Sequence, residues 1–215
     1  MNTILYNGFY INIDYGTLTT EEREHNGMKI AQQLYNLGWT ENAIAGLLGN
    51  TSAESTMNPG CIESNPTHPR PPEWTYLPTN QIILESSYDG GIGLTQWTPG
   101  RTKIVAWAES TGRVWCDGMA QVFMLKHESE DGIQMTATQW NYFIHSEDDP
   151  ADLAEYFLRQ YEKPSPEQIE ESLENRRRGG TTWYRLIHGH LFKMKLYLGW
   201  NPNKRKELKP RCLRV

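Results

Sequence analysis

Residues 40–60 read Thr40-Glu41-Asn42-Ala43-Ile44-Ala45-Gly46-Leu47-Leu48-Gly49-Asn50-Thr51-Ser52-Ala53-Glu54-Ser55-Thr56-Met57-Asn58-Pro59-Gly60. Thr40 can cap a helix, and Ile44, Leu47 and Leu48 form an apolar stripe at helical spacing. Ala45, Gly46, Gly49 and Ala53 are small and permit close approach of a second backbone. The helix is expected to run out near Glu54, before the turn signal Asn58-Pro59-Gly60. A carboxyl group at that end sits where the helix dipole disfavours its anion. Desolvation by neighbouring rings would favour the neutral acid further, the state a general acid needs. A glutamate at a helix end is also an ordinary surface residue, so the segment acquires meaning only with its surroundings.

Upstream, Thr19 and Glu22 form a capping-box pattern. Met28, Ile30, Ala31, Leu34, Tyr35 and Leu37 follow at helical spacing up to Gly38. Residues 1–16 read as a short strand or an extended arm. Downstream, residues 59–80 carry Pro59, Pro66, Pro69, Pro71, Pro72 and Pro78, which excludes a helix or central strand across the stretch. A loop of that length suits a lid or a binding wall. Gln81-Ile82-Ile83-Leu84 reads as a strand, Tyr88-Asp89-Gly90-Gly91-Ile92 as a hairpin turn, and Ile92 to Trp97 as the partner strand. The hairpin glycines admit close backbone approach to a ligand, and Thr95, Gln96 and Trp97 supply hydroxyl, amide and ring.

The remainder reads as helices around Ile104–Trp107, Met119–Leu125, Trp140–Ile144 and Asp149–Tyr161. Another starts at Ser165-Pro166, and an amphipathic run spans about 183–198. Strands and helices do not alternate, so a doubly wound sheet is excluded. The reading is a mainly α fold with one small β-hairpin, organised as an N-terminal arm (1–18), a helical body (19–200) and a basic tail (201–215).

The 215 residues are 38% hydrophobic and 22% charged, enough for a buried core. No apolar run approaches the roughly 20 residues of a membrane span, and the N-terminus does not read as a signal peptide. Net charge is −5, but residues 201–215 hold six basic residues and one acid, which leaves residues 1–200 at −10. An acidic body is a poor match for the phosphates of DNA or RNA. Three cysteines, Cys61, Cys116 and Cys212, give neither a disulfide framework nor a metal pair; reduced thiols are expected, with a Cys61–Cys116 bridge left open. Eight Trp and eleven Tyr against five Phe favour rings with a polar edge, suited to cores and to sugar faces.

Glu54-Ser55 followed by Asn58-Pro59-Gly60, then Gly93-Leu94-Thr95-Gln96-Trp97, resembles the phage tail lysozyme family of the lysozyme-like superfamily. Gly38–Asn50 and, more loosely, Phe157-Leu158-Arg159-Gln160-Tyr161-Glu162-Lys163-Pro164 extend the match over about residues 28–197. The resemblance implies a lysozyme-like fold and cleavage of the β-1,4 bond between N-acetylmuramic acid and N-acetylglucosamine in peptidoglycan. Glu54 would be the general acid, Gln96 would line the sugar groove, and Tyr161 would lie near the acid. It also implies a setting on a virion tail or as a released lysin, with glycan strands and phage tail proteins as partners and no cofactor. Two alternatives stay open: a lytic transglycosylase giving 1,6-anhydro products, and a non-catalytic glycan-binding virion protein.

A glycosidase of the two-carboxylate type needs a second carboxylate about 5–5.5 Å from the acid if retaining and about 6.5–9.5 Å if inverting. Asp89 and Glu85 are the candidates, although Asp-Gly is equally an ordinary hairpin turn. The substrate's own acetamido group or a hydroxyl is the alternative nucleophile. Trp74, Tyr88 and Trp97 are candidates for stacking on sugars. His188-Gly189-His190 lacks a third ligand at matching spacing, and no metal site is expected. Arg176-Arg177-Arg178 reads as a solvated helix face paired with Glu170, Glu171 or Glu174.

Overall fold

The computed structural model describes residues 3–13 and 16–197, with side chains as far as His190; the basic tail and Cys212 lie outside that range. The chain is mainly helical with one antiparallel hairpin, β1 (Thr3–Tyr6) and β2 (Phe9–Asn12), paired from Thr3 with Asn12 to Tyr6 with Phe9. The hairpin is docked: Phe9 and Ile11 are fully buried, and Asn7 Nδ2 donates to Asp117 at 2.7 Å.

The first helices begin where their caps place them. In α1 (Thr20–Asn36), the Glu22 amide donates to the Thr19 hydroxyl and the Thr19 amide to the Glu22 carboxylate, a complete capping box. In α2 (Glu41–Ser55), the Ala43 amide donates to the Thr40 hydroxyl at 3.1 Å. Ten of the fifteen residues of α2 are buried, which makes it the helix about which the others pack. Its small residues permit this. A Cβ at Gly46 would lie 2.9 Å from the Leu153 carbonyl carbon on α7 (Pro150–Phe157), and one at Gly49 would lie 2.6 Å from the Arg176 carbonyl oxygen on α8 (Pro166–Tyr197).

The hairpin expected at residues 81–97 is a correction. Residues 80–85 form a helical turn, α3 (Asn80–Glu85), because the Thr79 hydroxyl caps it by accepting from the Ile82 amide at 3.3 Å. Residues 92–97 keep only isolated bridges, Ile92 to Ile62 and Ile92 to Trp97. A π-helical turn, Arg101–Val105, leads into α4 (Ala106–Ser110); α5 (Gly118–Asp131) and α6 (Ala137–His145) follow. The region read as two helices after residue 165 is one, α8. Its Gly179-Gly180 pair costs helix propensity but lets α2 and α7 approach, since a Cβ at Gly180 would meet the Pro150 carbonyl oxygen at 2.6 Å.

The aromatic residues fill the interior. Trp39, Trp140, Phe143 and Phe157 are buried, and their rings lie 5.3–6.3 Å apart in the tilted and edge-on arrangements that ring quadrupoles prefer. Tyr161 joins them, stacked on Phe157 at 4.3 Å.

Candidate functional site

Glu54 ends α2 and lies partly open, its side chain 21% exposed. The chain leaves the helix through Thr56 and Met57, both left-handed at φ 51° and 62°. Two successive non-glycine residues in that region are strained, each costing about 1–2 kcal/mol, so the surroundings must hold them. Ser55 Oγ donates to the Leu94 carbonyl at 2.9 Å, and Asn26 Nδ2 donates to the Met57 carbonyl at 2.9 Å. Asn26 also bonds the Tyr10 backbone on β2, so the N-terminal hairpin buttresses the turn behind Glu54.

Gln121, fully buried on α5, aligns the Gly93–Trp97 turn beside that helix end. Its oxygen accepts from the Leu94 amide at 2.8 Å, while its nitrogen donates to the Pro59 and Trp115 carbonyls. Gln96 is partly exposed, left-handed at φ 48°, and donates to the Gly93 carbonyl. It also hydrogen-bonds Cys61, which lies within reach of Glu54's charge. Burial first, and that charge second, push the Cys61 thiol up to about 11. Glu54 and Gln96 thus both bear on one thiol, the first by its charge and the second by a hydrogen bond.

The groups against Glu54 come from elements that the sequence reading did not connect to it. Arg176 Nη2 of α8 meets Glu54 Oε1 at 2.5 Å, and its Nη1 donates at 3.0 Å to Asn50 Oδ1, one helical turn before Glu54. Asn50 is itself buried and fixed, donating to the Gly46 and Ala154 carbonyls. Arg176 is only 8% exposed, which corrects its assignment to a solvated face. Arg177 does lie outward, but its partners are Asp152 and Glu155 of α7 rather than acids of α8. The available signal for Arg176 was its position three and four residues before Gly179 and Gly180, on the face that packs.

The second carboxyl group near Glu54 is Glu162. It closes a π-helical turn, Leu158–Glu162, that follows α7. Such turns redirect side chains and often occur at functional sites. Burial, then the charge of Glu54, raise Glu162 well above the usual carboxylate range, with Arg176 opposing. A third, Glu128 of α5, is fully buried and raised to about 7 by desolvation. Its oxygens accept from Trp97 Nε1 at 3.1 Å and from the Tyr161 hydroxyl at 2.6 Å. Thr95 lies 3.4 Å from that hydroxyl. Lys103, half-buried in the turn before α4, bears on both Glu128 and Glu162, and burial lowers its pKa.

The remaining expected residues take other places. Asp89 is on the surface, its side chain 66% exposed, and pairs with His68 at 3.0 Å. That hydrogen bond holds its carboxyl below the usual range and ties the Pro-rich loop to the 88–93 segment. Glu85 is bonded to Gln81 within α3. Trp74, Tyr88 and Trp97 are at most 4% exposed, which corrects their assignment as sugar-stacking surfaces. Trp74 packs on Tyr88 at 5.4 Å, and Tyr88 donates to the Glu63 carbonyl, so these rings back the wall instead of facing outward. Thr95 and Tyr161 are likewise buried, second to the surface.

Cys61 and Cys116 are free thiols. Among the described residues no group of three or more His, Cys, Asp or Glu is arranged to hold a metal ion. His188 Nδ1 instead meets Glu41 at 2.8 Å. No described helix is long and apolar enough to cross a membrane.

Comparison with known proteins bears on this geometry. The chain is 31% identical over 176 residues to Morphogenesis protein 1 of Bacillus phage B103, which covers 80% of this chain and 42% of that protein. The chain therefore spans less than half the length of that relative. The family model for phage tail lysozyme matches residues 25–187, a stretch that holds Glu54, the Gly93–Trp97 turn, Glu128, Glu162 and Arg176. By that match the chain belongs to the phage tail lysozyme family.

Proposed function

We propose that the protein is a phage-borne peptidoglycan hydrolase that cleaves the β-1,4 bond between N-acetylmuramic acid and N-acetylglucosamine, with Glu54 as general acid. The observation that carries this reading is a partly open carboxyl group, Glu54, with a second one, Glu162, within reach of its charge and with one oxygen buried. Glu54 faces outward at the end of α2, and Glu162 sits behind it where burial and the charge of Glu54 keep a proton on it. A carboxyl group whose neutral form is favoured beside a second one makes a unit able to hold a proton and pass it on. In this reading Gln96 would line the groove as a hydrogen-bonding amide, and the Pro-rich loop, joined to Asp89 through His68, would form its wall. The virion setting is supported by the family and by the phage relative, and tail proteins are the partners it suggests.

A second reading, lytic transglycosylase chemistry, draws support from the burial of Glu162 Oε1 and the raised pKa of that carboxyl group. A carboxylate so placed is poorly set to attack an anomeric carbon, which leaves water, the substrate's acetamido group or its own hydroxyl as nucleophile. Both readings require the proton of Glu54. We expect Glu54→Gln to keep the thermal midpoint of the wild type while reducing clearance of a peptidoglycan suspension by at least about 100-fold. Clearance at the wild-type rate by a folded Glu54→Gln protein removes Glu54 from the chemistry.

A further inference from the structure

Glu54, Glu162 and Arg176 arrive from three elements: the end of α2, the π-helical turn behind α7, and α8. Arg176 uses Nη2 for Glu54 and Nη1 for Asn50, while its buried Nε has no hydrogen-bond partner. Glu162 Oε1 is also buried without a partner. Orphaned buried groups are rare and call for an explanation. One belongs to a guanidinium, always a donor, and the other to a carboxyl group on which that guanidinium's charge bears. The present arrangement satisfies Glu54 at the expense of Glu162. The complementary arrangement, with Arg176 against Glu162, would satisfy both orphans and release Glu54.

We propose that Arg176 is exchanged between the two carboxyl groups as the glycan enters. In the resting protein it holds Glu54 while Glu162 carries the proton. On binding, the O–H bond of Glu162 breaks and an O–H bond forms on Glu54, and Arg176 turns to the new carboxylate of Glu162. The guanidinium keeps all its protons, and the summed charge of the three groups is the same before and after. The exchange rests on the assignment of Glu54 as general acid and explains how an acid that starts in an ion pair acquires its proton. Glu162 and Arg176 are then positioning residues, acting on the substrate only through Glu54.

The other groups facing Glu162 fit this role. Glu128, from α5, adds a negative charge that helps keep Glu162 neutral, and Lys103, from the turn before α4, opposes it. Tyr161, on the same turn, is tied to Glu128 by its hydroxyl and holds the π-helical turn in place. Beside Glu54, the Cys61 thiol stays protonated and adds no charge.

The test compares wild type, Glu162→Gln and Glu162→Asp in peptidoglycan clearance across pH. Glu162→Gln should lower the limiting rate about 10- to 100-fold, with KM changed by less than about twofold. The alkaline limb of its rate profile should move to lower pH, because the stored proton is gone, and Glu162→Asp should restore most of the rate and the limb. A folded Glu162→Gln protein with the wild-type rate and limb overturns the exchange. Carbon-13 carboxyl spectra of the wild type provide a readout that needs no variant to fold. Near neutral pH, adding the N-acetylglucosamine tetramer should move the Glu162 resonance from its neutral to its ionised position and Glu54 the reverse; unmoved resonances overturn the exchange. Loss of lysis in Glu54→Gln together with an unaltered Glu162→Gln would sink the exchange alone, whereas lysis by Glu54→Gln would sink the acid assignment beneath it.

Discussion

Glu128 has both oxygens on hydrogen bonds and no surface open to water, and desolvation raises its pKa from 4.5 to about 7. The folded state therefore binds its proton more tightly than the unfolded chain. Its contribution to stability is complete below about pH 4.5 and is lost as pH rises to about 7, a difference of up to about 3 kcal/mol. Glu162 acts with the same sign. Asp89, Asp148 and Glu167 have lowered values and act oppositely, but at more acid pH, as each is protonated. We expect urea midpoints of the wild type to fall between about pH 4.5 and 7. The fall should be shallower in Glu128→Gln, which keeps the shape of the side chain without the buried charge. Parallel profiles for the two proteins would show that Glu128 ionises as freely in the folded state as in the unfolded one.

At the scale of elements, the contact of α2 with α8 determines where Arg176 meets Glu54. Helix propensity alone would make Gly49→Ala favourable by about 1 kcal/mol. The Cβ would lie 2.6 Å from backbone atoms of Arg176 and Gly180, which cannot yield as a flexible side chain would. We expect a net loss of about 1–3 kcal/mol in urea unfolding, and reduced wall clearance as Arg176 shifts. A Gly49→Ala protein as stable as the wild type would show that the helices have room.

These elements were unequally legible in the sequence. Helices α1, α2 and α7 announce themselves locally through Thr19, Thr40 and Asp149-Pro150, because a cap and an apolar stripe lie within one turn of each other. Residues 81–84 misled because a short apolar run suits either element, and the decisive cap, Thr79, stands outside it. The place of Glu54 at the end of α2 was legible from its own segment. Its partners were not, since Arg176 is 122 positions away and Glu162 depends on a π-helical turn with no local signature. Three consecutive arginines read as one face, yet successive helical side chains diverge, and only one of these turns inward.

Over the described molecule, the N-terminal hairpin and α8 are tied to the end of α2, and the Pro-rich loop to the segment after α3. Asn26 joins the hairpin to the turn behind Glu54, His68 joins the loop to Asp89, and Asn50 joins α2 to Arg176. Trp74, Tyr88 and Trp97 serve as backing, so selectivity for sugar would rest on polar groups such as Gln96 more than on exposed rings. The end of α2 is thus held by segments distant in the sequence. The account is therefore tested most directly by mass spectrometry of fragments released from purified peptidoglycan in oxygen-18 water. It predicts soluble muropeptides with N-acetylmuramic acid at the reducing end, each carrying one solvent oxygen. Release of 1,6-anhydro ends without solvent oxygen, or binding to the wall with no soluble fragments, would contradict it.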